Sequence, residues 1–186
     1  MRMIPIITFL GASIVLASAA QAQHAGHGQH SGHERQKSPY AELAARPIKA
    51  LSDDQVGDLK AGRGMGLSLP AELNGYPGPK HVLELADKIG LSATQRQTAS
   101  RLIDAMSAEA IAIGTEVIAL EARLEALFAD QKADAEQARA VVDRIGAAQA
   151  NLRFVHLKYH LAMRAAMAPE QIKQYAALRG YAPAKQ

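Results

Sequence analysis

The stretch Asn151–Gln171 reads NLRFVHLKYHLAMRAAMAPEQ, and in it His156, His160, Met163 and Met167 stand four, three and four residues apart. On a helix these four side chains fall within one narrow arc. Imidazole and thioether together form a soft-to-borderline ligand set that suits copper, and nickel or cobalt less well. If the chain turns back near Gln131, antiparallel pairing sets His156 opposite Met106 and His160 near Leu102. A reversal at Gly90 then brings His81 toward the same place. His81, Met106, His156, His160 and Met163 are therefore the expected ligands of a folded metal site. The same arc also holds Ile145 and Leu152, which leaves a plainer alternative. The methionines would then fill gaps in an apolar seam, and the imidazoles would pair with carboxylates or backbone at its edge.

A second histidine set lies near the N-terminus. His24, His27, His30 and His33 recur every third residue in HAGHGQHSGH. Flexible tracts of this kind chelate borderline metals because several neutral imidazoles converge with little strain, although the same composition also serves as a solubilising linker. The expected cofactor is thus a transition metal ion (copper, nickel, cobalt or zinc), with no organic cofactor. The chain has no Cys, and its histidines lack closed tetrahedral spacing, which argues against a structural zinc site.

Catalytic signatures are missing. There is no nucleophile elbow, HExxH or phosphate loop. Glu109, Glu116, Glu121 and Glu125 alternate with Arg and Ala in the pattern of a solvated helix face. The formal net charge is +3 and charged residues make up 21% of the chain without forming blocks. Neither a nucleic-acid stripe nor a polybasic membrane patch is implied. The reading is therefore not an enzyme and not a nucleic-acid binder.

The opening MRMIPIITFLGASIVLASAAQAQ has a charged n-region at Arg2, an apolar run from Met3 to Ala17 and a small-x-small Ala20-Gln21-Ala22. That is the pattern of a secretory leader spanning 1–22, with an uncleaved N-terminal anchor as the alternative. Export of a cysteine-free chain points to the periplasm. Residues 23–40 are polar, Gly-rich and nearly free of aliphatic side chains, so they are expected to be a disordered tail.

Beyond the tail the pattern is helical. Aromatics are only 4% and there is no Trp, which favours helices packed through small and aliphatic side chains. Leu51–Leu59 predicts a short helix. The Gly- and Pro-punctuated run Ala61–Pro79 predicts a bent connection with a brief helix at Ala71–Asn74. Pro79–Ile89 predicts another short helix stopped by Gly90. From Ser92 to Phe128 apolar residues recur at Leu102, Met106, Ala110, Ile113, Val117, Leu120, Leu124 and Leu127, the spacing of one buried helical seam. A second seam runs through Ala138, Val141, Ile145, Ala148, Leu152, Val155 and Tyr159. Two such seams joined by ADQKAD (Ala129–Asp134) predict a long antiparallel helical hairpin. Pro169 opens a last short helix ending near Gly180. The fold class is all-α, with 41–78 as short helices and connection and 79–186 as the hairpin domain.

Three helix starts share a phrase: LSDDQ (Leu51–Gln55), LSATQ (Leu91–Gln95) and MAPEQ (Met167–Gln171). Ser52 and Ser92 are suited to N-capping, with Gln55 and Gln95 at the third helical position to complete capping boxes; Pro169 compensates for Ala168 in the third copy. Two such phrases, one opening a long helix and one opening the last, resemble the periplasmic LTxxQ superfamily. That group includes the Spy and CpxP stress proteins and the CnrX-type heavy-metal sensors. The resemblance covers roughly Pro79–Tyr181 and is most typical over MRAAMAPEQIKQYAALRGY (Met163–Tyr181).

The resemblance implies a bent four-helix, usually dimeric protein without enzymatic chemistry. Spy-like members cradle unfolded clients without ATP, and CpxP-like members restrain an inner-membrane stress sensor. CnrX-like members bind a transition metal through His, Glu and Met from the helices before each phrase. Their His four residues ahead of the Met at Met163 is here Tyr159, with His160 one step out of register. Their N-terminal histidine pair is reduced to His81, with Glu84 as an oxygen donor. The segment before Pro79 departs from the Spy pattern. The reading is a non-enzymatic periplasmic metal-binding or metal-responsive protein of envelope stress or metal resistance. The alternative is an ATP-independent chaperone or stress-kinase regulator. The expected partners are a second copy, unfolded clients or an inner-membrane regulator.

Overall fold

The computed structural model describes residues 38–181. The expected leader at 1–22 and the histidines His24, His27, His30 and His33 lie outside the described residues, as does all but the end of the expected tail at 23–40. A 3-10 helix, Ala41–Ala45, is followed by α1 (Asp53–Lys60), α2 (Leu69–Glu72), α3 (Pro79–Glu84), α4 (Ala93–Ala129), α5 (Ala135–Ala165) and α6 (Pro169–Leu178). The expectation of an all-α fold built on a long helical pair holds, and no strand occurs among the described residues.

Local chemistry fixes where each helix starts. Ser52 accepts from Gln55 N at 3.1 Å and Gln55 returns a bond to Ser52 N at 2.8 Å, closing the box at α1. Ser92 and Gln95 do the same at α4, at 3.2 and 3.0 Å. Asp134 caps α5 by accepting from Gln137 N at 2.8 Å. Each such cap contributes about 1 kcal/mol.

The helix stops are equally local. Gly90 adopts φ +64, and Leu91 N reaches back to Ala86 O at 2.9 Å, the left-handed stop that favours glycine. Gln131 takes the same role after α4 without being glycine, at φ 55, with Lys132 N bonded to Leu127 O at 3.0 Å. The polar turn between the long helices is therefore a helix stop followed at once by an N-cap.

Two expectations need correction. The helix expected over Pro79–Ile89 ends as α3 at Glu84. Its continuation tightens into turns, with Leu85 N on Val82 O and Ala86 N on Leu83 O, both at 3.2 Å. Glu121, expected on a solvated face, is buried at 8% exposure. It lies where residues 49–50 cross the end of α4 and share a pocket with it.

At 37 residues, α4 is about 55 Å long, and α5 runs back along it for 31 residues. The facing seams form the first core: Ala110, Val117 and Leu120 meet Val141, Ile145, Ala148, Leu152, Val155 and Tyr159. Burying each of the Val, Leu and Ile side chains contributes roughly 1.5–3 kcal/mol. Leu59 of α1 joins this core because the chain crosses α4 at Gly114, where any Cβ would collide with the Leu59 carbonyl. A second core gathers Val82, Ala86, Ile89, Leu91, Ala99, Met163, Met167 and Tyr175.

The shared Gln closes that second end. Gln95 Nε2 donates to Gln171 Oε1 at 2.9 Å, and Gln171 Nε2 donates to Gln95 Oε1 at 3.0 Å. Gln95 also donates to Ala166 O, and Gln171 to Gly90 O, while each oxygen accepts its own cap N–H. Both amides thereby satisfy all four hydrogen-bonding positions, which ties the start of α4 to the start of α6.

Candidate functional site

At the junction of α2, α3, α5 and α6, the connection from α2 to α3 lays a carboxylate between two imidazoles. Glu72, the last residue of α2, is only 5% exposed. Its Oε2 accepts from Gly78 N at 2.9 Å. Its Oε1 accepts from the Tyr175 hydroxyl of α6 and from Tyr181 OH at 3.1 Å. His81 Nδ1 of α3 lies 3.4 Å from Oε1, and His160 Nδ1 of α5 lies 3.6 Å from Oε2.

A buried charge persists only when paired and hydrogen-bonded. Burial alone would raise the Glu72 pKa; the His81 imidazole, the Tyr175 hydroxyl and the Gly78 N–H outweigh it and hold the carboxyl down at about 2. Tyr175 moves the opposite way, pushed up by burial and by its bond to the Glu72 carboxylate.

The loop 75–78 sets the position of His160. Its Nδ1 is 2.7 Å from Tyr76 O; a carbonyl only accepts, so that nitrogen carries a proton. The imidazole edge faces Gly78 so closely that a Cβ there would stand 2.9 Å from Cε1 and 3.1 Å from Nε2. Arg164 holds the loop from the other side. It donates to Gly75 O, and its guanidinium lies 4.4 Å from the Tyr76 ring centroid.

The expected ligands divide. His81 and His160 come together on either side of Glu72. His156, one helical turn before His160, is 2% exposed and faces Gly64, where a Cβ would be 3.7 Å from its Nδ1. Burial and the neighbouring His160 push its pKa down, so its ring is neutral at pH 7. Met163 is fully buried in the second core, whereas Met106 is half-buried against the first. Glu84 is exposed.

Sequence reasoning missed Glu72, Tyr76, Tyr175 and Tyr181. Glu72 looks like any loop acid in LPAELNG, and Tyr175 meets it across 103 residues. Only the unusual density of Gly and Pro around it hinted at a tightly packed connection.

Chemically, the donor types present, carboxylate oxygen and imidazole nitrogen, are those a borderline cation takes. Glu72 offers an ionised carboxylate, and two buried imidazole nitrogens, His81 Nδ1 and His156 Nε2, have no hydrogen-bond partner among the described residues. His81 Nδ1 is near Glu72 but not aligned as a hydrogen bond. Oxygen with imidazole nitrogen suits nickel, cobalt, zinc or copper(II). As they stand, no three His, Asp or Glu side chains among the described residues form a ready ligand set.

A family model described as heavy-metal resistance matches residues 68–174, more than half of the chain. Its start coincides with Ser68, at the entry to α2, so Glu72, His81 and His160 all lie within the match while α1 and the loop after it lie outside. No curated protein and no solved structure matches the chain.

Proposed function

Because the chain belongs to the heavy-metal resistance family, within the LTxxQ/Spy/CpxP-like superfamily, we propose that it is an exported periplasmic metal-responsive protein. Its metal centre is the junction of Glu72, His81 and His160. One observation carries this reading: a carboxylate kept ionised in a buried place, flanked by imidazoles from two other elements. A strongly perturbed carboxyl set among titratable partners is a mark of functional sites.

Glu72, His81 and His160 would hold the ion, which would supply positive charge where the carboxylate now relies on His81, Tyr175 and Gly78. These residues link α2 and α3 to α5 and α6, so a change in their bonding alters how the loop 75–78 and the C-terminal helix are held. That is the element of a response. The family is a non-enzymatic resistance and sensor family. That supports a role in binding.

Cobalt(II) titration, followed by its visible absorption, separates this centre from the tail. A chain with His24, His27, His30 and His33 all changed to Ala should still bind one equivalent. Adding Glu72→Gln or His160→Ala should abolish that binding. Loss of all binding with the four tail substitutions alone would refute the folded centre.

A second reading, a client-binding or self-associating surface, is favoured by the outer face of α5. Phe154 and Leu161 are 60% and 52% exposed, with Leu157 between them at three- and four-residue steps. A monomodal chaperone or a dimer would cover this stripe. Phe154→Asp/Leu161→Asp should then lower the mass measured by light scattering or abolish suppression of client aggregation; indifference in both assays would exclude it.

A further inference from the structure

A groove of about 520 Å³ lies between the segment 51–67 and the hairpin, on the side of the molecule formed partly by residues outside the family match. That volume is within the roughly 300–1,000 Å³ of small-molecule sites. Its walls are aliphatic: Leu51, Leu59 and Leu67 on one side, Val117 and Leu152 on the other. Arg153 is the only charged residue lining it, and it makes no ion pair or hydrogen bond among the described residues. Gln149, one turn earlier on α5, lies on the same rim.

Gly146 keeps the groove open. It also lines the space, and a Cβ built on it meets nothing within 4 Å. Glycine inside a helix is unfavourable relative to any residue with a Cβ except proline, so local stability does not explain its presence.

We infer that this groove binds a single-chain anionic amphiphile, a fatty carboxylate, with its acyl chain against the leucines and its carboxylate on Arg153. The charge selects the class. An aliphatic slot alone accepts any apolar chain, but one unpaired guanidinium at its rim favours a carboxylate head over a neutral or cationic one. The groove shares no lining residue with Glu72, His81 and His160.

The test is a calorimetric series with the full chain and octanoate, decanoate, dodecanoate and tetradecanoate, each below its micellar concentration. Affinity should rise about fourfold per methylene, and then level off when the groove is full. Dodecylamine should bind at least tenfold more weakly than dodecanoate, and Arg153→Glu should reverse that order. Gly146→Leu projects a side chain into the groove, so it should remove binding while leaving the helical content and melting temperature unchanged or higher. Three results would each overturn the inference: affinity independent of chain length, equal binding of amine and carboxylate, or undiminished binding by a folded Gly146→Leu. Binding to anionic phospholipid vesicles without binding of free dodecanoate would overturn it as well.

Discussion

Replacing Glu72 with Gln keeps the shape of the side chain and removes its charge. The consequence can be worked from the carboxyl's titration. Its pKa falls from 4.5 to about 2 on folding, and each unit corresponds to 1.36 kcal/mol, so ionised Glu72 stabilises the native state by roughly 3 kcal/mol at pH 7. Because the folded value is the lower one, this contribution is complete above 4.5 and disappears as pH falls through about 2. At pH 3 the same two values leave about 1.4 kcal/mol. In Glu72→Gln the amide oxygen can still accept from Gly78, and the tyrosine hydroxyls can turn to accept from the new NH2. The charge is therefore the main thing lost. Urea denaturation in the presence of chelator should find the variant roughly 2–4 kcal/mol less stable at pH 7, with that gap about halved at pH 3. A gap that is the same at both pH values would show that geometry, rather than a buried carboxylate, is responsible. A gap under about 0.5 kcal/mol at pH 7 would refute the account of the junction.

Four further outcomes follow from other parts of the fold. Gln95→Ala and Gln171→Ala should each cost about 1–3 kcal/mol by denaturation, and the double variant less than their sum by about 1 kcal/mol, because the amides share two bonds. Gly114→Ala should destabilise the protein and speed hydrogen exchange in α1, since its Cβ meets the Leu59 carbonyl. Gly146→Ala, with open space around it, should stabilise by about 1 kcal/mol. His156 is held below its ordinary 6.5 by burial and by His160, so the unfolded chain takes up that proton first. Thermal stability should therefore fall as pH drops below 6.5, and His156→Leu should flatten that part of the profile.

The hairpin was legible because its information is periodic. Leu102 to Leu127 and Ala138 to Tyr159 repeat at three- and four-residue steps over many turns, and the polar ADQKAD between them marks the turn. The LSxxQ phrases were legible as capping boxes, but their second use was not. That Gln95 and Gln171 bond to each other depends on how the hairpin folds back, not on either phrase. The histidines illustrate the same limit. Their spacing placed His156 and His160 inside the protein, and both are buried. Yet helical arc alone could not tell that Met163 enters a different apolar cluster, or that the oxygen donor beside His160 is Glu72 rather than the exposed Glu84. Glu121 was misread because the chain that covers it, residues 49–50, carries no periodic signal of its own. A short, Gly- and Pro-rich connection is where pattern reading has least to work with, and here it holds the carboxylate on which the site is built.

The most direct test of the central claim is to follow all seven histidine side chains by nitrogen-15 NMR in the full chain while nickel(II) is added. The resonances of His81 and His160 should broaden or shift with the first equivalent, and those of His24, His27, His30 and His33 only afterwards. If the tail histidines respond first and His81 and His160 never do, Glu72 and its two imidazoles are structural pairing and not a metal centre.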